Sequence, residues 1–138
     1  MKVLLAIDDI PSSADAVDLI TSKQWPPDTA VRVLSVAKQE SPSRNLPALR
    51  QAQREVALRA DDVTARVVDL LEASGFLADS VVRFGESDTA IIDEAKGWSA
   101  DLIIMSGRYN GVTQGGTSNE SVQRVVSHAP CRVQLVFT

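Results

Sequence analysis

Asp101-Leu-Ile-Ile-Met-Ser-Gly-Arg108 and, beyond residues 109–118, Asn119-Glu-Ser-Val-Gln-Arg-Val-Val-Ser-His-Ala-Pro-Cys-Arg-Val-Gln-Leu-Val-Phe137 decide how this chain folds. The first piece reads as a buried strand that runs into a loop bearing Gly107, Gly111, Gly115 and Gly116. The second reads as a capped helix followed by a final strand, reached through Ala129-Pro130-Cys131. This order puts a loop and a helix N-terminus at the carboxyl end of a strand, where the free amides and dipole of the helix favour phosphates. Asn119 and Glu120 occupy the positions that would cradle the anion, and a carboxylate there opposes a polyphosphate.

Working outward, three more apolar runs stand at Lys2–Ile7, Val31–Ala37 and Ser80–Phe84, and the final strand is Arg132–Phe137. The first, the second and Asp101–Met105 are nearly continuous in apolar character, as strands covered on both faces are. Between them the apolar residues recur at helical spacing. Ala14, Val17 and Ile20 mark a first helix with Ser12 and Ser13 as N-caps. Val56, Ala60, Val63, Val67 and Leu70 mark a second, Ala90, Ile91, Ala95 and Trp98 a third, and Val122, Val125, Val126 and Ala129 a fourth. Strands alternating with helices predict an α/β fold with an open parallel five-stranded sheet and helices on both faces. Residues 39–47, rich in Ser, Pro and Asn, read as a surface loop, and the whole chain, 1–138, reads as one domain.

With 44% apolar and 23% charged residues the composition is that of a globular protein. A net charge of -4 argues against nucleic acid and against anionic membrane surfaces as partners. One cysteine excludes an internal disulfide and suits a reducing compartment. The opening Val3–Ile7 run is too short for a signal peptide, and no apolar stretch approaches membrane-spanning length, so a cytoplasmic location is expected.

Little in the chain points to catalysis. There is no Gly-Lys-Ser/Thr phosphate loop. His128 is the sole histidine, which excludes a histidine triad or a multi-histidine metal site. It falls in the last turn of the fourth helix, where it complements the dipole. Asp8-Asp9 at the end of the first strand invites comparison with a response-regulator receiver domain. The phosphate-accepting aspartate and the lysine that such a domain needs are both missing. Asp8 is a candidate magnesium ligand, and the alternative is a carboxylate bonded to loop amides. Cys131 reads as a small buried residue, and Trp25 and Trp98 as packing residues.

Laid out this way, the chain resembles the universal stress protein family. The matching residues are Val3-Leu-Leu-Ala-Ile-Asp8 with Ser13, Val33-Leu-Ser-Val36, Gly85 with Ala90-Ile-Ile-Asp-Glu-Ala95, Ala100-Asp-Leu-Ile-Ile-Met105, Arg108, and His128-Ala-Pro-Cys-Arg-Val133. The resemblance implies strand order 3-2-1-4-5, an adenine-nucleotide alpha hydrolase-like fold, and a crevice between strands one and four. It implies base and ribose contacts at Ala6, Ile7, Asp8, Val36 and Met105.

Nucleotide-binding members carry G-x2-G-x9-G-[S/T] after strand four. Here those four positions hold Ser106, Tyr109, Asn119 and Glu120. A gapped reading assigns the phosphate loop to Gly107, Arg108, Gly111 and Gly116-Thr117, with Ser121 in the first turn of the helix. Thr117-Ser-Asn-Glu120 equally fits a capping box. A carboxylate about 4 Å from a phosphate costs roughly 4 kcal/mol at an effective dielectric of about 20, enough to turn a micromolar site millimolar. The expectation is therefore a regulatory domain with weak or lost ATP binding, no catalytic residues, no tightly held cofactor and an unidentified protein partner. The alternatives are an ATP- or AMP-binding domain, with magnesium and at most slow hydrolysis, and a small-molecule binder that fills the adenine pocket with an uncharged ligand. Strand five would lie at the sheet edge, where Val133, Leu135, Val136 and Phe137 offer an apolar surface for a homodimer.

Overall fold

A computed structural model describes residues 1–7, 10–37, 54, 62, 64–107 and 119–137. Strand β1 spans Lys2–Ile7, helix α1 Ile10–Ser22 and strand β2 Ala30–Ala37. The chain is helical at 54 and 62 and continuously over residues 64–73, here α2. Strand β3 (Leu77–Phe84), helix α3 (Ser87–Trp98), strand β4 (Leu102–Gly107), helix α4 (Asn119–His128) and strand β5 (Arg132–Phe137) complete the order. All strand pairings are parallel, and the sheet order is β3-β2-β1-β4-β5. Among the described residues no helix is long and apolar enough to cross a membrane.

Alternation along the strands divides the core into two layers. Val3, Leu5, Ile7, Val31, Val33 and Ile104 face α1 and α2, where Ala16, Val17, Ile20, Val67 and Leu71 meet them. Leu4, Ala6, Leu34, Ile103 and Met105 face α3 and α4, packing on Ile91, Ala95 and Val125. β1 is buried along its length beyond Lys2, because it has a strand on each side and helices on each face.

Several boundaries and faces differ from the sequence reading. α1 begins at Ile10, so Ser12 and Ser13 lie in its first turn rather than ahead of it; Pro11, lacking an N–H that would need a partner, is suited to that turn. β3 starts at Leu77, not Ser80, because Ala30 to Leu34 of β2 pair residue by residue with Leu77 to Val81. β4 covers Leu102–Gly107 rather than Asp101–Met105, extended by the pairing of Ser106 and Gly107 with Val136 and Phe137.

On α2 the buried stripe is Thr64, Val67 and Leu71, and Leu70 is 54% exposed. Val126 of α4 is likewise exposed at 55%, leaving Val125 as the buried anchor. Cys131 is half-buried rather than buried, and burial together with the neighbouring Asp101 carboxylate pushes its thiol up.

Candidate functional site

The two halves of the sheet meet where β1 and β4 end. Ala6 stands directly beside Met105 in the register, and Ile7 beside Ser35 of β2. Ala6, Met105 and the half-buried Val36 share the face toward α3 and α4. Ile7 turns to the opposite layer, in one cluster with Leu5, Val17 and Ile104. The structure thus gathers Ala6, Val36 and Met105 on one face and sends Ile7 to the other.

α4 packs on the same layer through Val122 and Val125. It opens at Asn119, which puts Glu120 in its first turn and His128 in its last. Asp8, Arg108, Tyr109, Gly111, Gly116 and Thr117 lie outside the described residues, as do the side chains of Ser106, Asn119, Glu120 and Ser121. Gly107 ends β4 beside Phe137. Val133 and Val136 of β5 pack on opposite faces of the sheet, and Leu135 is 38% exposed on this edge strand.

Among the described residues an ion pair joins α3 to α4. Arg124 of α4 donates from Nη1 to Oδ2 of Asp88 at 3.1 Å. Asp88 sits in the first turn of α3 and is 5% exposed, while the Arg124 side chain remains 66% exposed. Burial alone would push the Asp88 carboxyl up. Hydrogen bonds from Arg124 and from the backbone N–H groups of Thr89 and Asp88 itself outweigh it and hold the group below the usual range.

A second polar group lies under α3. Arg32 forms a two-pronged contact with Asp79, its partner in the β2–β3 register, with Nε and Nη2 each 3.0 Å from an oxygen. Its Nη1 reaches Glu94 at 3.1 Å, and its guanidinium lies 4.6 Å from the centre of the Trp98 ring. Arg83 meets the other oxygen of Glu94. The hydrogen bond to Asp79 leads in raising the Arg32 pKa; burial opposes it, and Glu94 adds to it.

None of these charged residues stands out as functional in the sequence. Their one signal is a charge inside an apolar stripe: Glu94 falls between Ala90 and Trp98 at intervals of four, and Arg32 between Val31 and Val33. Trp98 is half-buried, as expected of a packing residue.

Among the described residues, pockets lie at both ends of the sheet. One, of about 310 Å³, is at the carboxyl end of β3 and is lined by Arg83, Phe84, Glu86, Thr89 and Asp93. The other, of about 320 Å³, is at the amino ends of the strands, beside Trp25, Pro26, Pro27 and Phe76. Among the described residues no group of three or more His, Cys, Asp or Glu side chains is placed to hold a metal.

The sequence model described as the universal stress protein family matches residues 1–136. Solved structures repeat the fold. A universal stress protein from Lactobacillus plantarum superposes with a TM-score of 0.75 at 19% identity, covering 99% of this chain and 97% of that one. A universal stress protein family protein from Arabidopsis thaliana with AMP bound gives 0.67 at 17% identity, covering 99% and 91%. The universal stress protein from Archaeoglobus fulgidus in complex with dAMP gives 0.71 at 13% identity, covering 99% and 97%. No curated protein matches the sequence.

Proposed function

Because the chain belongs to the universal stress protein family, we propose that it is a cytoplasmic regulatory domain whose crevice takes an adenosine-sized ligand and holds ATP weakly. The observation that carries this reading is the pair that opens α4, Asn119 and Glu120. Four amides at a helix start attract an anion, but a carboxylate in that first turn already supplies one. The base end of the crevice is different in character. Ala6 beside Met105, with Val36 on the same face, is small and apolar, the character that suits an aromatic base.

AMP and dAMP in the Arabidopsis and Archaeoglobus proteins support an adenine-type ligand. They also favour a second reading, in which Gly107, Gly111 and Gly116-Thr117 rebuild a phosphate loop and the chain binds AMP or ATP with magnesium. Under the first reading the output is contact with an unidentified regulatory protein, and under either reading the chain forms a homodimer along β5.

Calorimetry with ATP plus magnesium, alongside adenosine, separates the two. The first reading expects adenosine to bind and ATP to bind at least roughly tenfold more weakly. The paired change Asn119→Gly, Glu120→Ser should then restore ATP affinity. Low-micromolar ATP binding by the unaltered chain would overturn it in favour of the second.

A further inference from the structure

We propose a second binding site, at the end of the sheet away from Ala6 and Met105, that takes a small zwitterion with an apolar side chain: an α-amino acid. It stands whether or not the crevice binds a nucleoside.

The site is the cavity of about 320 Å³ formed where α1 and α2 end and β2 and β3 begin. Its walls come from two short connections, 21–29 and 74–76. Past α2, Gly75 at φ 94° donates its N–H to the Glu72 carbonyl, and Phe76 donates to that of Leu71, a helix end that glycine suits. Phe76 is thereby turned onto the core layer that also holds Leu71. Past α1, Trp25 packs on the same layer, and its indole N–H donates to the Ile20 carbonyl at 2.6 Å. Pro26 and Pro27, which have no N–H, follow it. The apolar side chains of the lining are thus fixed in place and have no donor left to offer.

The hydroxyls have also spent their protons. Thr21 donates to the Val17 carbonyl at 2.9 Å, Ser74 to that of Leu70 at 3.1 Å, and Thr29 to that of Pro26 at 2.6 Å. Each keeps its lone pairs, so toward a ligand the three can only accept. The side-chain donor that remains is the Lys23 ammonium, and the anion is the Asp28 carboxylate. Among the described residues neither charge is paired, with the other or with a third residue. A ligand that satisfies this lining brings an anion for Lys23, a charged donor for Asp28 and the hydroxyls, and an apolar body for Trp25 and Phe76. An α-amino acid carries all three in one small molecule, and a charge-assisted bond at each end orients it.

The backbone at Asp28 adds a separate observation. Its φ of 62° lies in the left-handed region, where glycine is accommodated at least cost. The turn between Pro26 and Thr29 therefore favours glycine, yet it carries a carboxylate on the lining of the cavity.

The test is calorimetry of the unaltered chain with L-phenylalanine and L-leucine, with their N-acetyl forms, which lack the ammonium, and with their amides, which lack the carboxylate. Both free amino acids should bind, and either block should weaken them about tenfold, the loss of one charge-assisted bond in an open site. Lys23→Gln should bring the free amino acid down to the level of its amide, and Asp28→Gly to the level of its N-acetyl form. Because glycine suits this backbone, Asp28→Gly should keep or raise the thermal midpoint while losing the ligand. Asp28→Asn, which also tolerates a left-handed φ, repeats the loss of charge.

Absence of binding by both free amino acids overturns the proposal, as does equal binding of the blocked forms or affinity unchanged in all three variants. Excess adenosine should leave amino-acid binding as it was. Competition between the two would move the amino acid to the crevice and overturn the site.

Discussion

Arg32 on β2 and Glu94 on α3 meet at 3.1 Å in a layer otherwise filled by Leu4, Leu34, Ile91 and Ala95. The second oxygen of Glu94 takes Nε and Nη2 of Arg83 at 2.9 and 2.8 Å. Each carboxylate oxygen thus serves a different strand, and one side chain ties α3 to both β2 and β3. Glu94→Gln removes the charge and one of the two acceptors while leaving two cations in place. Losing one partner of a buried pair costs about 3–5 kcal/mol. Here the arginine side chains are 25% and 40% exposed, so water offsets part of that. The expected loss in urea unfolding is about 2 kcal/mol, and a loss below about 0.5 kcal/mol would remove Glu94 from this role.

Asp88 should leave a mark on acid stability. Burial raises its pKa, but Arg124 and two amides lower it further, and the net shift is downward. A carboxyl depressed by folding contributes stability above its unfolded pKa of about 3.9, and that contribution is lost as pH falls through the lower folded value. The stability gap between the unaltered chain and Asp88→Asn should be constant from about pH 5 upward and close below about pH 4. Denaturant midpoints measured across that range check it, and a gap that widens toward acid would reverse the sign.

Ser99 ends α3 in the left-handed region, at φ 59°, where its N–H bonds back to Lys96 and that of Ala100 to Ala95. Left-handed backbone costs a non-glycine residue about 1 kcal/mol, and glycine suits this position past a helix end. Ser99→Gly should therefore stabilise the protein by about 0.5–1 kcal/mol. A thermal midpoint raised by several degrees is the expected result, and a lowered one would show that the serine side chain contributes more than the backbone strain costs.

The β5 dimer proposed above has a simple check. β5 is an edge strand, and Leu135 is 38% exposed on it. Leu135→Lys places a charge where edge-to-edge pairing would bury it. Light scattering should show a dimer for the unaltered chain and a monomer for the variant, with the far-ultraviolet spectrum unchanged. A variant that remains dimeric would move the interface to another surface.

The sheet is legible in the sequence because its central strands are apolar without interruption. The apolar runs Lys2–Ile7 and Arg132–Phe137 match β1 and β5 to the residue, and the order of strands follows from the family resemblance. β3 reads three residues short because Leu77-Ala-Asp-Ser80 lacks that signature. It lies on an edge, half in water, and takes its strand form from β2. Spacing alone puts Leu70 and Val126 in buried stripes. Helical periodicity marks a sector wider than the line of true contact, and these two lie on its margin.

For the site, it is the family resemblance that names Ala6, Val36 and Met105 together, and the structure puts them on one face. Ile7 cannot be separated from them without the alternation of β1. The pairings of Glu94 and Asp88 are invisible for a different reason. A charged residue in an apolar stripe announces that it must find a partner, but the partner lies on another element, at a distance in sequence that no local pattern encodes.

β1 is joined to β4 by contacts that span almost the whole chain: the Lys2 N–H donates to the Asp101 carboxylate at 2.8 Å, and the Asp101 N–H to the Lys2 carbonyl at 2.7 Å. β1, β2 and β3 are complete by residue 84, so they can pair while the rest is still being synthesised. Until β4 arrives, β1 presents an open apolar edge, and closing it requires the costly long loop that makes such topologies slow to fold. The seam between β1 and β4 therefore does not exist until β4 has been made and has paired. A chain stalled before residue 101 would carry an unpaired sticky strand, which makes this seam the place where misassembly with a second nascent copy would begin.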